Sequence, residues 1–162
     1  MNQQGGERAR TTMVGRVLVV SVVGVLSASA IRRIREQVWP LPHGALAIIT
    51  DFRRALIAVT EAEMVALTRH KQGEVFLPPP LAWVLPDGVD LTPWRRQVLR
   101  LATLGVLRYA TGDFEDAMSW AAAQAIREQR QAPPIATPDC RLLPGWQTSG
   151  TSQKPVDAEP SS

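Results

Sequence analysis

The densest apolar pattern along the chain is a block. Residues 17–26 are aliphatic throughout except for Ser21 and Gly24. Arg8, Arg10 and Arg16 precede the block, and Ser27, Ala28, Ser29 and Ala30 follow it. A basic start, an apolar centre and a small-x-small ending predict a secretory signal peptide cut before Ile31, or an uncleaved membrane anchor over residues 1–30. Fifteen uncharged residues separate Arg16 from Arg32. That is short of the roughly 20 that cross a bilayer, unless arginines at both ends reach toward the headgroups. Arg32, Arg33 and Trp39 then become the residues expected at the membrane interface.

Downstream, residues 31–43 read as a linker, because Pro40 and Pro42 bias their neighbours away from helix. From 44 to 71 the apolar positions Ile48, Phe52, Leu56 and Val59 recur at spacings of four and three, a helical period. Thr60 and Glu63 form a capping box that can start a second helix. Prolines cluster in an insertion at 76–90, with a small hairpin between 83–85 and 89–91 as one reading of it. Thr92 and Pro93 suit the start of a longer helix running through Trp94, Val98, Leu101, Leu104 and Tyr109. Gly112 stops it, and Asp113 caps a last helix with Ala117, Ala121 and Ala125 on its inner stripe. Residues 132–162 are rich in Pro, Ser, Thr, Gln and Gly and read as a disordered tail. The predicted architecture is therefore all-α: a helical domain over 44–131 that ends in an antiparallel helix hairpin.

That hairpin resembles a tetratricopeptide unit over residues 98–131. Leu104 and Gly105, then Gly112, Asp113 and Phe114, then Ala117 follow the family's order and spacing. Leu101, Arg108, Ala121 and Gln124 depart from it. The resemblance implies a protein-binding scaffold without catalysis.

The chain has 162 residues, 18 basic and 15 acidic. Setting aside Arg8, Arg10, Arg16 and Glu7 leaves 15 basic and 14 acidic residues from Ile31 onward, without the basic excess of a nucleic-acid domain. Cys140 is the only cysteine, and His43 and His70 are the only histidines, far apart in sequence. No phosphate loop, nucleophile elbow or zinc spacing occurs, so no cofactor or metal is expected. Glu63 is accounted for by capping, and Asp113, Glu115 and Asp116 by the start of a helix.

Combined, these features predict an exported or membrane-anchored helical adaptor of the cell envelope. It would bind a protein, and no nucleic acid, through Trp94, Arg108, Tyr109 and Trp120. Two alternatives accompany it. One is a small envelope hydrolase using Glu61, Glu63 or Asp51; the other is a cytosolic regulator whose Arg95, Arg96 and Arg100 touch phosphates.

Overall fold

The computed structural model describes residues 8–68 and 78–131. The valine block is a strand within a sheet. Strand β1 (Arg8–Val14) turns at Gly15, whose φ of 59° suits a tight connection, into β2 (Val17–Leu26). Helix α1 (Ala28–Val38) leads to β3 (Ala47–Ile57), and α2 (Glu61–Thr68) follows. Then come β4 (Leu81–Val84), α3 (Thr92–Ala102), β5 (Arg108–Thr111) and α4 (Phe114–Gln131). The five strands lie in chain order, β1 antiparallel to β2 and each later neighbour parallel.

Crossovers between parallel strands are right-handed, so steps taken in one direction across a sheet put every connecting helix on the same face. Ile34 of α1, Met64 of α2 and Trp94 of α3 accordingly share one core with Leu18, Val20, Val22, Leu26, Ile48 and Phe52. Helix α4 comes after the last strand and covers the other face. Ala117, Ala121 and Ala125 lie there against Val17, Val19, Ala47, Ile49, Ala82 and Val84. The chain is thus an α/β fold with a mixed sheet between helices.

This overturns the all-α expectation, and each misread element has a physical reason. Residues 17–20 are all buried because neighbouring side chains serve opposite cores. A strand buried on both faces shows an unbroken apolar run. No described helix is long and apolar enough to cross a membrane. The export and envelope reading, with its interface role for Arg32, Arg33 and Trp39, loses the segment on which it rested. Ser27 caps α1 by accepting from the Ala30 amide at 3.2 Å, so the small-residue stretch starts a helix.

Residues 98–131 are not a tetratricopeptide hairpin. Gly105, at φ 74°, follows the end of α3; β5 then enters the sheet beside β4, and α3 and α4 face opposite cores. The 83–85/89–91 hairpin is absent too, because Trp83 sits in β4 between two parallel neighbours. The capping box is present: Glu63 Oε2 accepts from the Thr60 amide at 2.9 Å, and Thr60 Oγ1 accepts from the Glu63 amide at 3.2 Å. The tail at 132–162, with Cys140, lies outside the described residues, as does His70.

Truncating a side chain in the valine block should therefore unfold the protein more readily. Leu18→Ala is expected to cost about 2–5 kcal/mol, read as a lower urea midpoint at unchanged slope. A block lying outside the fold would leave the midpoint where it was.

Candidate functional site

Helix α4 is 18 residues long, about 27 Å, and about 10 Å across. Five strands span roughly 19 Å between the outer two. One helix cannot cover that face, and its contacts favour β3, β4 and β5. Strands β2 and β3 also outrun their neighbours. The last β3–β4 pair is Asp51 with Val84, yet β2 and β3 continue together to Leu26 and Ile57.

In that two-stranded extension an irregularity sets which way the side chains face. Ser21 pairs with Asp51, but Val23 pairs with Arg54, so β3 carries one extra residue. A bulge of this kind reverses the facing of every position after it. Before it, Ile48, Thr50 and Phe52 face α1–α3; after it, Ala55 and Ile57 do. Arg54 and Leu56 are consequently turned to the α4 side, beside Val23 and Val25, where α4 does not reach. Val23, Val25 and Leu56 are 40%, 44% and 68% exposed.

Arginines ring this bare end. Arg8 is directly across from Val23 and Arg10 across from Ser21, on the same face, while Arg54 pairs with Val23 from β3. Among the described residues no salt bridge engages Arg8, Arg10 or Arg54. Arg53 is fixed at the margin. Its guanidinium donates to both carboxylate oxygens of Asp51 at 2.9 Å and lies 4.6 Å from the centre of the Phe114 ring. Burial pushes the Asp51 carboxyl up, but the hydrogen bonds and charge of Arg53, with the charge of Arg54 behind them, hold it below its ordinary value.

The opposite face holds a cleft of about 860 Å³ between the sheet and α1–α3. Phe52, Trp83 and Trp94 form its aromatic wall, with Trp94 5.4 Å from Trp83 and 6.1 Å from Phe52 between ring centres. Ile31, Ile34 and Val38 of α1 and Leu67 of α2 line the other side, and Trp39 stands at the rim. Arg32, Arg35, Glu36 and Arg108 are the charged residues that line it among those described.

The four residues expected to bind a partner divide between the faces. Trp94 and Arg108 belong to the cleft. Tyr109 stacks on Trp120 at 5.3 Å on the α4 side and donates to Asp116 at 2.7 Å. That bond raises the Tyr109 phenol above its ordinary value, with burial adding to it. Sequence reasoning passed over Val23, Val25, Arg54 and Leu56. The available signal was Arg53 followed by Arg54, two charges interrupting an apolar strand.

The hydrolase alternative gains no site, and Arg96 of the phosphate-contact alternative is engaged by a carboxylate. Glu61 pairs with Arg96 at 3.4 Å, Glu63 is used in capping and Asp51 is tied to Arg53, so the three carboxylates do not converge. No group of three His, Cys, Asp or Glu among the described residues is placed to hold a metal.

No protein-family profile matches the sequence, and no curated protein does. Solved structures with a similar outline include an anti-sigma factor antagonist from Mycobacterium paratuberculosis, at 12% identity and TM-score 0.45, covering 75% of this chain and 99% of that one. An uncharacterised DUF3478-family protein with a SpoIIAA-like fold from Shewanella loihica shows 14% identity and TM-score 0.43, covering 75% and 98%. SpoIIAA, a Bacillus cell fate determinant, in its phosphorylated form shows 17% identity and TM-score 0.38, covering 70% and 98%. Likeness at these values transfers no function.

The Asp51–Arg53 pair makes stability depend on pH with a definite sign. Its folded-state value lies below that of the unfolded chain, about 3.9, so the contribution is complete above that pH and is lost as pH falls through the lowered value. Asp51→Asn should cost about 1–3 kcal/mol at pH 7. The gap between the two melting curves should close as pH falls below about 3.9.

Proposed function

We propose that the chain is a protein-binding domain whose contact surface is the bare end of the β2–β3 extension, and that its partner presents an acidic rim around an apolar centre. The observation that carries this reading is the grouping of Val23, Val25 and Leu56, exposed together and ringed by Arg8, Arg10 and Arg54 without carboxylate partners among the described residues.

An apolar centre with a polar or charged rim is the usual anatomy of a protein interface, and arginine is enriched there. Leu56 and the two valines supply area that loses water on contact. The arginines steer an acidic surface and fix its register; exposed as they are, they contribute to association rate and selectivity more than to net affinity. Tyr109 and Trp120 lie on the same side of the sheet, at the β5 edge, and stay candidates for the periphery of a large partner. Trp94 is buried and serves the opposite core.

Photocrosslinking in the native cell tests the reading. A photoreactive residue at Val25 should trap a discrete protein partner, whereas one at Leu99, equally apolar and 68% exposed but on α3, should not. With that partner purified, Leu56→Asp should weaken binding at least tenfold without lowering the melting temperature, and Arg54→Glu should slow association. Raising salt should slow association with the wild-type chain. Equal trapping at both positions, or a partner indifferent to both substitutions, would remove the proposal.

A further inference from the structure

We infer that the cleft between the sheet and α1–α3 is a second binding site, for an amphipathic small molecule with an oxyanion head on an apolar body. The inference is independent of the protein-binding surface, which lies on the other face of the sheet.

The body of such a ligand is specified by the walls. Val20, Ile48, Phe52, Trp94 and Val106, all buried, make a packed apolar floor, and Leu81 and Trp83 stand partly open beside it. At about 860 Å³ the cleft falls within the range of small-molecule sites, roughly 300–1,000 Å³. Around that packed floor Ile31, Val38, Leu67, Leu81 and Trp83 are only partly buried. An apolar guest would take their open surface out of water.

The head is specified by the arginines. Arg108 opens β5 two residues before Ala110, the partner of Trp83, so its guanidinium belongs to the strand-entry end of the cleft. One of its terminal nitrogens, Nη1, donates to the carbonyls of Pro79 at 3.0 Å and Leu107 at 2.8 Å. Those two bonds occupy both Nη1 protons. Nη2 and Nε, the edge that grips a carboxylate or phosphate in a two-pronged bond, have no partner among the described residues. Arg35 reaches the same end from α1, held by its own donation to the Leu67 carbonyl at 2.8 Å.

Burial, with the nearby positive charge of Arg35 adding to it, lowers the Arg108 guanidinium to about 10. The pair is thus mutually unfavourable as it stands, and no carboxylate among the described residues forms a salt bridge with Arg108. Among the described residues that line the cleft, Glu36 is the single acidic one, against Arg32, Arg35 and Arg108. An oxyanion between Arg35 and Arg108 would turn a repulsion into two charge-assisted contacts. Carboxylate and phosphate share this chemistry.

The test is calorimetric titration of the full chain with laurate, lauryl phosphate and lauryl alcohol, which differ only in the head. At least one of the two anions should bind about ten- to a hundredfold more tightly than the alcohol, and the tighter anion identifies the natural head. Arg108→Gln should erase that advantage while leaving the alcohol's affinity within about twofold. Should Arg108→Gln fail to fold, Arg35→Gln, at an exposed position, is expected to reduce the advantage and decides the matter. Failure of all three ligands to bind, equal binding of anion and alcohol, or an anion preference that survives both substitutions would each overturn the inference. Either result leaves the crosslinking outcome at Val25 unaffected.

Discussion

Parallel pairing of β2 with β3 is the constraint on which the rest of the structure depends. Once Val17 lies beside Ala47 and Leu18 beside Ile48, the chain must cross over through α1, and handedness fixes the face on which α1 lands. Two more steps in the same direction add α2 and α3 to that face, and α4 takes the other. Among the described residues one face therefore receives three helices and the other one. The unequal cover produces two features: helices that enclose a cleft on the crowded face, and a strand end that no described helix covers on the sparse one.

The extra residue in β3 decides what the bare end presents. Without it, Arg54 and Leu56 would turn toward α1, placing a guanidinium in the core, and Ala55 would turn outward. With it, Ala55 joins Leu26 and Val22 in the core, and the larger side chains face solvent. Arg53, two residues from Asp51 on the same face of β3, lies between that carboxylate and the Phe114 ring and ties β3 to the first turn of α4. Asp113 completes the join by accepting from the Glu115 and Asp116 amides at 2.8 and 3.3 Å.

Legibility in the sequence follows from how each element is buried. Helix α4 is half exposed, so its alanine stripe, acidic start and Asp113 cap could be read directly. Strand β2 is buried on both sides, and its apolar run carries no period that separates strand from helix or from a signal peptide. Its valine richness favoured a strand, and Gly15 beside it favoured a turn. In β3 the spacing of four between Ile48, Phe52 and Leu56 fits a helix. It also fits alternate positions of a strand, since four is a multiple of two. The first two of these residues do share the core, while Leu56 lies beyond the bulge on the opposite face. Of the cleft, Arg108 and Trp94 were visible as unusual residues. Their meeting was not, because it needs strands β4 and β5 side by side.

Exposed arginines near a sheet edge have another established use, which is to stop edges from pairing with other chains. That explanation suits Arg8 and Arg10 on β1, an outer strand. It does not reach Leu56, since a protective design would not leave a leucine 68% exposed beside two exposed valines. The charges nonetheless restrict what can bind there. Two copies of this chain brought together at the patch would set Arg8, Arg10 and Arg54 against their own duplicates, with like charges desolvated at the rim of an apolar contact. Self-association through this surface is opposed by the same residues that would draw in an acidic one. The arginines and the leucine are therefore consistent with each other only if the occupant is a different molecule, apolar at its centre and negative around it.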